Sequence, residues 1–445
     1  MDRDLLTSSH WGTYTVDVTE GRVTGLRAFA DDPDPSPIGP GIVDVLDDPL
    51  RIKQPMVRKS WLDGGPGTRG ETRGMDAFVA VSWDEVNRLV AKELTRVRDN
   101  FGNRAIYAGS YGWASAGRFH HAQGQLKRFL NCIGGCTYSK NTYSFAAAEV
   151  VVPHVLGTFR GHLDRSTSWE SIAADCDLFV AFGGVPLKNG QISQGGVGKH
   201  IQKAGVETAR AAGVEFVNIS PLRSDVMEGV GAEWLALRPS TDAALMIGLA
   251  HCLLVEDLHD TDFLTRYCVG FDQFAAYLLG QTDGIPKTAD WAGAICDLPA
   301  ETIRDLARRM AKSRTMISIA WALTRQDHGE QPFWAAIALA AMLGQMGLPG
   351  TGLGFGYSAM NNVGLNRREI DYASFPQGQN PVKDFIPVAR VTDLLNNPGA
   401  RFDYDGTSYE YPDIRLVWWA GGNPFHHHQD LNAMRAAWAK PDTII

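Results

Sequence analysis

From about residue 105 onward, short apolar runs alternate with stretches of helical period, and glycine-rich loops separate them. Ala105, Ile106, Tyr107 and Ala108 form one such run and read as a buried strand. Gly109 and Gly112 follow, where a backbone without side chains approaches a ligand closely. Phe119, Leu126, Phe129 and Leu130 then recur at helical spacing, and Gly134 and Gly135 end that helix. A polar loop leads to Tyr143 and Ser144, ahead of a second helix from Phe145. Further on, strands are expected at 177–182, 214–219, 314–320 and 415–419, with helices at 200–212, 241–255 and 333–346. Such alternation predicts parallel sheets with helices on both faces, a multidomain, doubly wound α/β architecture.

The N-terminal part reads differently. Residues 13–29 alternate apolar and polar around Thr19-Glu20-Gly21-Arg22, which predicts a β-hairpin. The Asp- and Pro-rich stretch 31–40 must be loop, and a Gly-rich loop covers 64–74. Ser82 with Glu85 forms a capping box for a helix whose inner face carries Val86, Leu89, Val90, Leu94 and Val97.

A chain of 445 residues is too long for one hydrophobic core. A formal net charge of −8, with no basic tract, argues against nucleic acid or an anionic membrane surface as partner. No apolar run reaches the roughly 18 residues that span a bilayer. The opening MDRDLLTSSHWG has neither a twin-arginine pair nor an apolar signal core, so a cytoplasmic location is expected. Cysteines occur at Cys132, Cys136, Cys176, Cys252, Cys268 and Cys296, with no Cys-x-x-Cys and none before Cys132. The four-residue spacing of Cys132 and Cys136 suits core packing at least as well as metal binding.

The stretch GSYGWASAGRFHHAQGQLKRFLNCIGGCTYSKNTYS, from Gly109 to Ser144, resembles the active-site region of molybdenum oxidoreductases of the dimethyl sulfoxide reductase family. It is most similar to the subgroup that reduces biotin sulfoxide, dimethyl sulfoxide and trimethylamine N-oxide. The match runs through Pro55-Met56-Val57-Arg58-Lys59-Ser60 and on to the last residues. The resemblance implies a bis(molybdopterin guanine dinucleotide) molybdenum cofactor with Ser144 as the protein ligand to the metal. Tyr111 and Trp113 match the aromatic residues over the metal and, with Ser144, the catalytic set; with Gly112, Ala114 and Ser115 of the same loop they are also implied cofactor contacts. It further implies cofactor contacts at Lys188 and Asn189, at Ile219, Ser220 and Pro221, at Trp321, Ala322 and Arg325, and at Asn423 and His427. Family members without the N-terminal cysteine quartet lack an iron–sulfur cluster and take electrons from a separate donor protein or a reduced nicotinamide. The tyrosine is associated with sulfoxide reducers, so Tyr111 implies a sulfoxide substrate such as biotin or methionine sulfoxide.

Each residue also has a plainer reading. A deprotonated Ser is a hard oxygen donor suited to a high-valent metal, but Ser144 also stands where a helix cap belongs. Lys188 also reads as a solvated loop lysine, Trp321 as core, and Arg325 as an ion-pair member with Asp327 or Glu330. Two other patterns are rejected. Gly195-Gly196-Val197-Gly198-Lys199-His200 has Ser193 and His200 where a phosphate-binding Walker loop needs Gly and Ser or Thr. His426, His427 and His428 are consecutive and cannot all face one zinc ion.

The expected organisation is an N-terminal β region at 1–60, a discontinuous molybdopterin-binding domain at 61–155 with 345–445, and a second dinucleotide-binding domain at 156–344. The family's further domain, which closes over the dinucleotides, is absent from these 445 residues. On that reading the chain is a fragment, and alone it is expected to be poorly soluble or to hold cofactor substoichiometrically. The main functional reading is an oxygen-atom-transfer reductase. A metal-free scaffold subunit of the same architecture is the second, set against by the presence of Tyr111, Trp113 and Ser144. A nicotinamide dehydrogenase is the third, and it lacks any Gly-x-Gly-x-x-Gly after a strand.

Overall fold

The N-terminal hairpin carries one strand more than the alternation predicts: β1 (Leu6–Ser9), β2 (Gly12–Thr19) and β3 (Arg22–Ala28) pair antiparallel in that order. Glu20 and Gly21, at φ 52° and 75°, form the two-residue turn whose twist suits a hairpin. The computed structural model of the chain describes residues 5–68, 70–109, 121–366 and 373–445. β4 (Met56–Arg58) and β5 (Phe78–Ala80) pair antiparallel ahead of the helix Trp83–Phe101. Ser82 caps that helix, accepting from the Glu85 amide at 3.1 Å.

The remaining strands are β6 (Ile106–Gly109), β7 (Thr137–Lys140), β8 (Leu178–Phe182), β9 (Glu215–Ile219), β10 (Glu233–Leu235), β11 (Thr315–Ile319), β12 (Gly352–Phe355), β13 (Phe385–Pro387), the hairpin β14 (Arg401–Tyr404) and β15 (Thr407–Glu410), β16 (Leu416–Trp419) and β17 (Thr443–Ile444). They build two all-parallel sheets, ordered β10-β9-β8-β11-β12 and β13-β7-β6-β16-β17. In each, the first strand in the chain lies at the centre, the next two go to one side and the last two to the other. That order makes a topological switch point, beside β8 in one sheet and beside β6 in the other.

Both sheets are covered on two faces, as parallel sheets must be. In the second, Tyr107, Ile386 and Val417 point to one cluster with Leu394, Leu395 and Met434, and Ile106, Ala108 and Leu416 point to another with Leu94, Val97 and Leu130. In the first, Trp169 stacks on Phe179 of β8, while Phe333, on the helix Glu330–Met342, stacks on Phe355 of β12.

Several elements differ from the sequence reading. β7 stands where a polar loop was expected; it is recognised by its pairing with β6 and β13, since of Thr137, Tyr138, Ser139 and Lys140 only Thr137 is buried. The helices Thr261–Tyr267, Phe271–Leu278, Ala289–Cys296 and Ala300–Lys312 fill a stretch to which the apolar pattern assigned nothing.

The compact units also change over at other points than the expected domains. One unit is Met1–Pro40 with Ser144–Glu369, and the other is Gly41–Tyr143 with Ile370–Ile445. β12 belongs with the first unit because it pairs with β11. The N-terminal strands join it through the loop before His200. Ser193 donates its amide to the His10 carbonyl at 2.8 Å, and Asp32 binds both the amide and the Nδ1 of buried His200 at 3.0 and 2.7 Å. Among the described residues no helix is long and apolar enough to cross a membrane.

Candidate active site

β8 is buried along its whole length and ends in Gly183 and Gly184, with φ 83° and 73°. Neither has room for a side chain. A Cβ on Gly183 would lie 2.6 Å from that of Ala320, and one on Gly184 2.5 Å from that of Asp225. The loop after β8 therefore runs against the loops after both β11 and β9. Backbone bonds fix the approach: Gly183 donates to Ile219 and Ala320 donates to Phe182, each at 2.8 Å. The chain then enters the short helix Leu187–Gly190, which exposes Lys188 and Asn189.

At the end of β9, Ile219 is core and Ser220 is 1% exposed. The Ser220 hydroxyl donates to Asp225 at 2.6 Å and accepts from the Leu222 amide at 3.2 Å, while its carbonyl accepts from Trp234 Nε1 at 2.8 Å. Ser220 thus shapes its loop, and exposed Pro221 is what that loop presents.

At the end of β11 the Trp321 side chain is core, as the plainer reading has it. It is 5% exposed, donates to the Phe355 carbonyl at 3.3 Å and meets the Phe145 ring edge-on at 4.6 Å. Ala322 and Arg325 are exposed. Thr324 Oγ1 and Arg325 Nε reach the carbonyl of Ser144 at 3.4 and 3.3 Å, so the fold brings Arg325 and Ser144 together. Beyond Arg325, Asp327 and Glu330 flank His328, at 3.9 and 3.7 Å.

Ser144 itself is half-buried. The helix that follows it, Ala146–Leu156, has Phe145 at its cap position, one residue beyond Ser144.

In the other unit, Tyr111, Gly112, Trp113, Ala114 and Ser115 lie outside the described residues. They follow β6, whose last residue, Gly109, faces the ring of Trp419 at the end of β16 so closely that a Cβ there would enter it. β16 leads into Gly421 and Gly422, at φ 80° and 68°. Asn423 then caps the helix Pro424–His427, accepting from the Phe425 amide at 3.0 Å. His427 closes that short helix.

The sequence reading missed His428. It is buried, its imidazole pKa is pushed below the ordinary value by burial, and its two nitrogens lie 3.1 Å from Tyr143 Oη and 2.7 Å from Thr392 Oγ1. Three consecutive histidines look alike in sequence, and the burial of His428 has no local signal.

Each unit thus offers a Gly-rich turn at its switch point, where backbone approaches a dinucleotide closely. The first adds two exposed cations, Lys188 and Arg325, and a half-buried serine, Ser144. This donor set fits a pterin dinucleotide with a high-valent metal.

Comparison with known proteins supplies the family. Residues 51–445 match the family described as molybdopterin oxidoreductase, and residues 7–47 match the molybdopterin oxidoreductase N-terminal domain. The chain is 45% identical to the biotin sulfoxide reductase of Cereibacter sphaeroides, over 95% of this chain and 57% of that protein. It is 41% identical to the dimethyl sulfoxide/trimethylamine N-oxide reductase of the same organism, over 99% and 55%. The trimethylamine-N-oxide reductase of Haemophilus influenzae is also 41% identical, over 100% and 55%. The chain therefore spans a little over half the length of these curated relatives. Among solved structures, the acetylene hydratase of Pelobacter acetylenicus superposes with a TM-score of 0.58 at 16% identity, over 99% of this chain and 60% of that one, which shows the shared fold.

Proposed function

The chain belongs to the molybdopterin oxidoreductase family, and from that premise we propose that it acts as a molybdenum-dependent oxygen-atom-transfer reductase of sulfoxides or N-oxides. The net reaction takes one oxygen from the substrate with two electrons and two protons, yielding the sulfide or amine and water. Its cofactor is a bis(molybdopterin guanine dinucleotide) molybdenum without an iron–sulfur cluster. Electrons come from a separate donor protein or a reduced nicotinamide, in the cytoplasm. When bound, the cofactor supplies the two-electron redox chemistry that the side chains lack.

What supports this reading most is the placement of the assigned residues. Wherever described, they fall at the carboxyl end of a parallel strand: Lys188 and Asn189 after β8, Ile219, Ser220 and Pro221 at β9, Trp321, Ala322 and Arg325 after β11, Asn423 and His427 after β16, and Ser144 beyond β7. In an open α/β sheet these ends are where a dinucleotide binds. The names of the relatives supply the substrate class.

The chain's own residues then divide the work. Ser144 gives its hydroxyl oxygen to the metal, while Thr324 and Arg325 hold its carbonyl. Lys188 and Arg325 meet phosphate with positive charge. Pro221 and its neighbours, beside Ser220, face the ribose. Tyr111 donates its phenolic hydrogen to the substrate oxygen as charge builds there, and Trp113 donates its indole N–H and excludes water.

The test is substrate turnover by the full-length, molybdenum-loaded protein, with and without Tyr111→Phe. Sulfoxides are expected to lose on the order of 100-fold in rate, the typical effect of removing one such donor, and N-oxides less. An equal effect on both classes contradicts the role of Tyr111. Absence of turnover of either class contradicts the function.

A further inference from the structure

Ser144 follows directly on the loop after β7, and that loop is held by two phenol contacts. Asn141 sits in the left-handed region at φ 66°, which Asn tolerates better than most residues, and its Oδ1 accepts from Tyr404 Oη at 2.9 Å. Tyr143 Oη lies 2.9 Å from the Val388 carbonyl and 3.1 Å from His428 Nδ1, and its ring meets that imidazole edge-on. His428 Nε2 lies 2.7 Å from Thr392 Oγ1.

For a neutral imidazole, the form that burial favours at His428, the chemistry of these atoms sets the direction of every bond. A carbonyl only accepts, so the phenolic proton goes to Val388. The phenolic oxygen then accepts from His428 Nδ1–H, which leaves Nε2 to accept from the Thr392 hydroxyl. This tautomer is assigned from the network. The result is one ordered chain, Thr392 to His428 to Tyr143 to Val388, in which the imidazole is neutral and both its nitrogens are engaged. Burial, which disfavours the charged imidazole, acts in the same direction.

We propose that His428 is a positioning residue for Ser144, locking Tyr143 so that the backbone entering Ser144 has a single conformation. The inference rests on the reading of Ser144 as the metal's oxygen donor. The direction of a side chain follows from the backbone dihedrals that lead into it. A metal ligand held by a loop needs such outer support to stay within a fraction of an ångström of its working position.

The test compares His428→Ala, His428→Asn and Tyr143→Phe with the parent in the full-length protein. In metal-free protein, amides 141–145 are expected to exchange hydrogen faster in His428→Ala and Tyr143→Phe. In loaded protein, both are expected to broaden or split the molybdenum(V) paramagnetic resonance signal. Both should also lower kcat about 10–100-fold, with little change in KM. Because the two changes break one chain, the double variant is expected to resemble either single variant. His428→Asn keeps a donor toward Tyr143 and is expected to restore most of the parent signal.

Tyr143→Phe removes one hydroxyl and keeps the ring, so it reads the proposal even where His428→Ala does not fold. Parent-like exchange, signal and kcat in Tyr143→Phe overturn the proposal. Loss of thermal stability with an unchanged metal signal also overturns it, since that is a purely structural role. Ser144→Ala is the control. If it leaves the metal signal unaltered, Ser144 is not the ligand and the underlying reading fails. If it alters the signal while Tyr143→Phe does not, only the role of His428 fails.

Discussion

The sheets β10-β9-β8-β11-β12 and β13-β7-β6-β16-β17 share a strand order and differ in almost everything else. In the first, the central β8 and β11 are five residues long and buried throughout, and the five strands are consecutive in the chain. In the second, no strand exceeds four residues, and β13 has three and β17 two. Its β7 and β13 are neighbours in the sheet yet enclose Ser144–Glu369, the larger part of the other unit. A switch point therefore depends on strand order alone, and it survives both short strands and an insertion of more than two hundred residues. The insertion has a chemical consequence. Ser144 is the first residue of that insertion, so the loop after β7 leads into it and the loop after β11 holds its carbonyl.

The largest effect expected of a single change is at that junction. Ser144→Ala removes an oxygen donor and no core volume, so turnover is expected to vanish while the unfolding midpoint barely moves. Normal turnover with molybdenum bound contradicts the ligand role.

A smaller effect tests whether the two switch points are equivalent. Gly183→Ala presses a Cβ against Ala320 at a left-handed position, and Gly109→Ala presses one into Trp419. Each is expected to destabilise its own unit by about 1–3 kcal/mol, the usual range for overpacking, and to lower cofactor retention. Thermal unfolding and metal content measure both. If one variant loses cofactor and the other does not, only one switch point carries a dinucleotide.

The smallest effect separates the packing of the first unit from its chemistry. Burial raises the Asp242 carboxyl, in the first turn of the helix Asp242–Val255, to about 6. The folded chain thus binds this proton more tightly than the unfolded one. The associated stability is full below the ordinary value of 3.8 and is lost as pH rises through about 6. Asp242→Asn removes the titration, so it is expected to stabilise by about 1 kcal/mol at neutral pH. The gain should vanish in acid, as read from denaturant midpoints. The gain stays below the full linkage value because the helix N-terminus loses a favourable negative charge. An equal change at both pH values contradicts the assignment.

How far the sequence revealed all this follows the same contrast. β8, β9 and β11 are predicted to within a residue or so because each is a short, mostly apolar run, and those of β8 and β9 end in Gly and Ser. β7 is polar, β12 carries two glycines among four residues, and β13 is three residues long, so pairing rather than local pattern defines them. The unassigned helices Thr261–Tyr267, Phe271–Leu278 and Ala289–Cys296 are two turns or so each, too short for a 3.6-residue period to stand out. At the candidate site, Lys188, Asn189 and Arg325 could be named because a family resemblance numbers them. The core packing of Trp321, the enclosed hydroxyl of Ser220 and the burial of His428 are tertiary facts with no local signal.

Central to the proposed function is that each unit's switch point takes one pterin guanine dinucleotide. Its most direct test is the ratio of guanine nucleotide to molybdenum released on acid hydrolysis of the purified, loaded full-length protein. Two nucleotides per metal is the predicted result. One nucleotide per metal, or none, contradicts it.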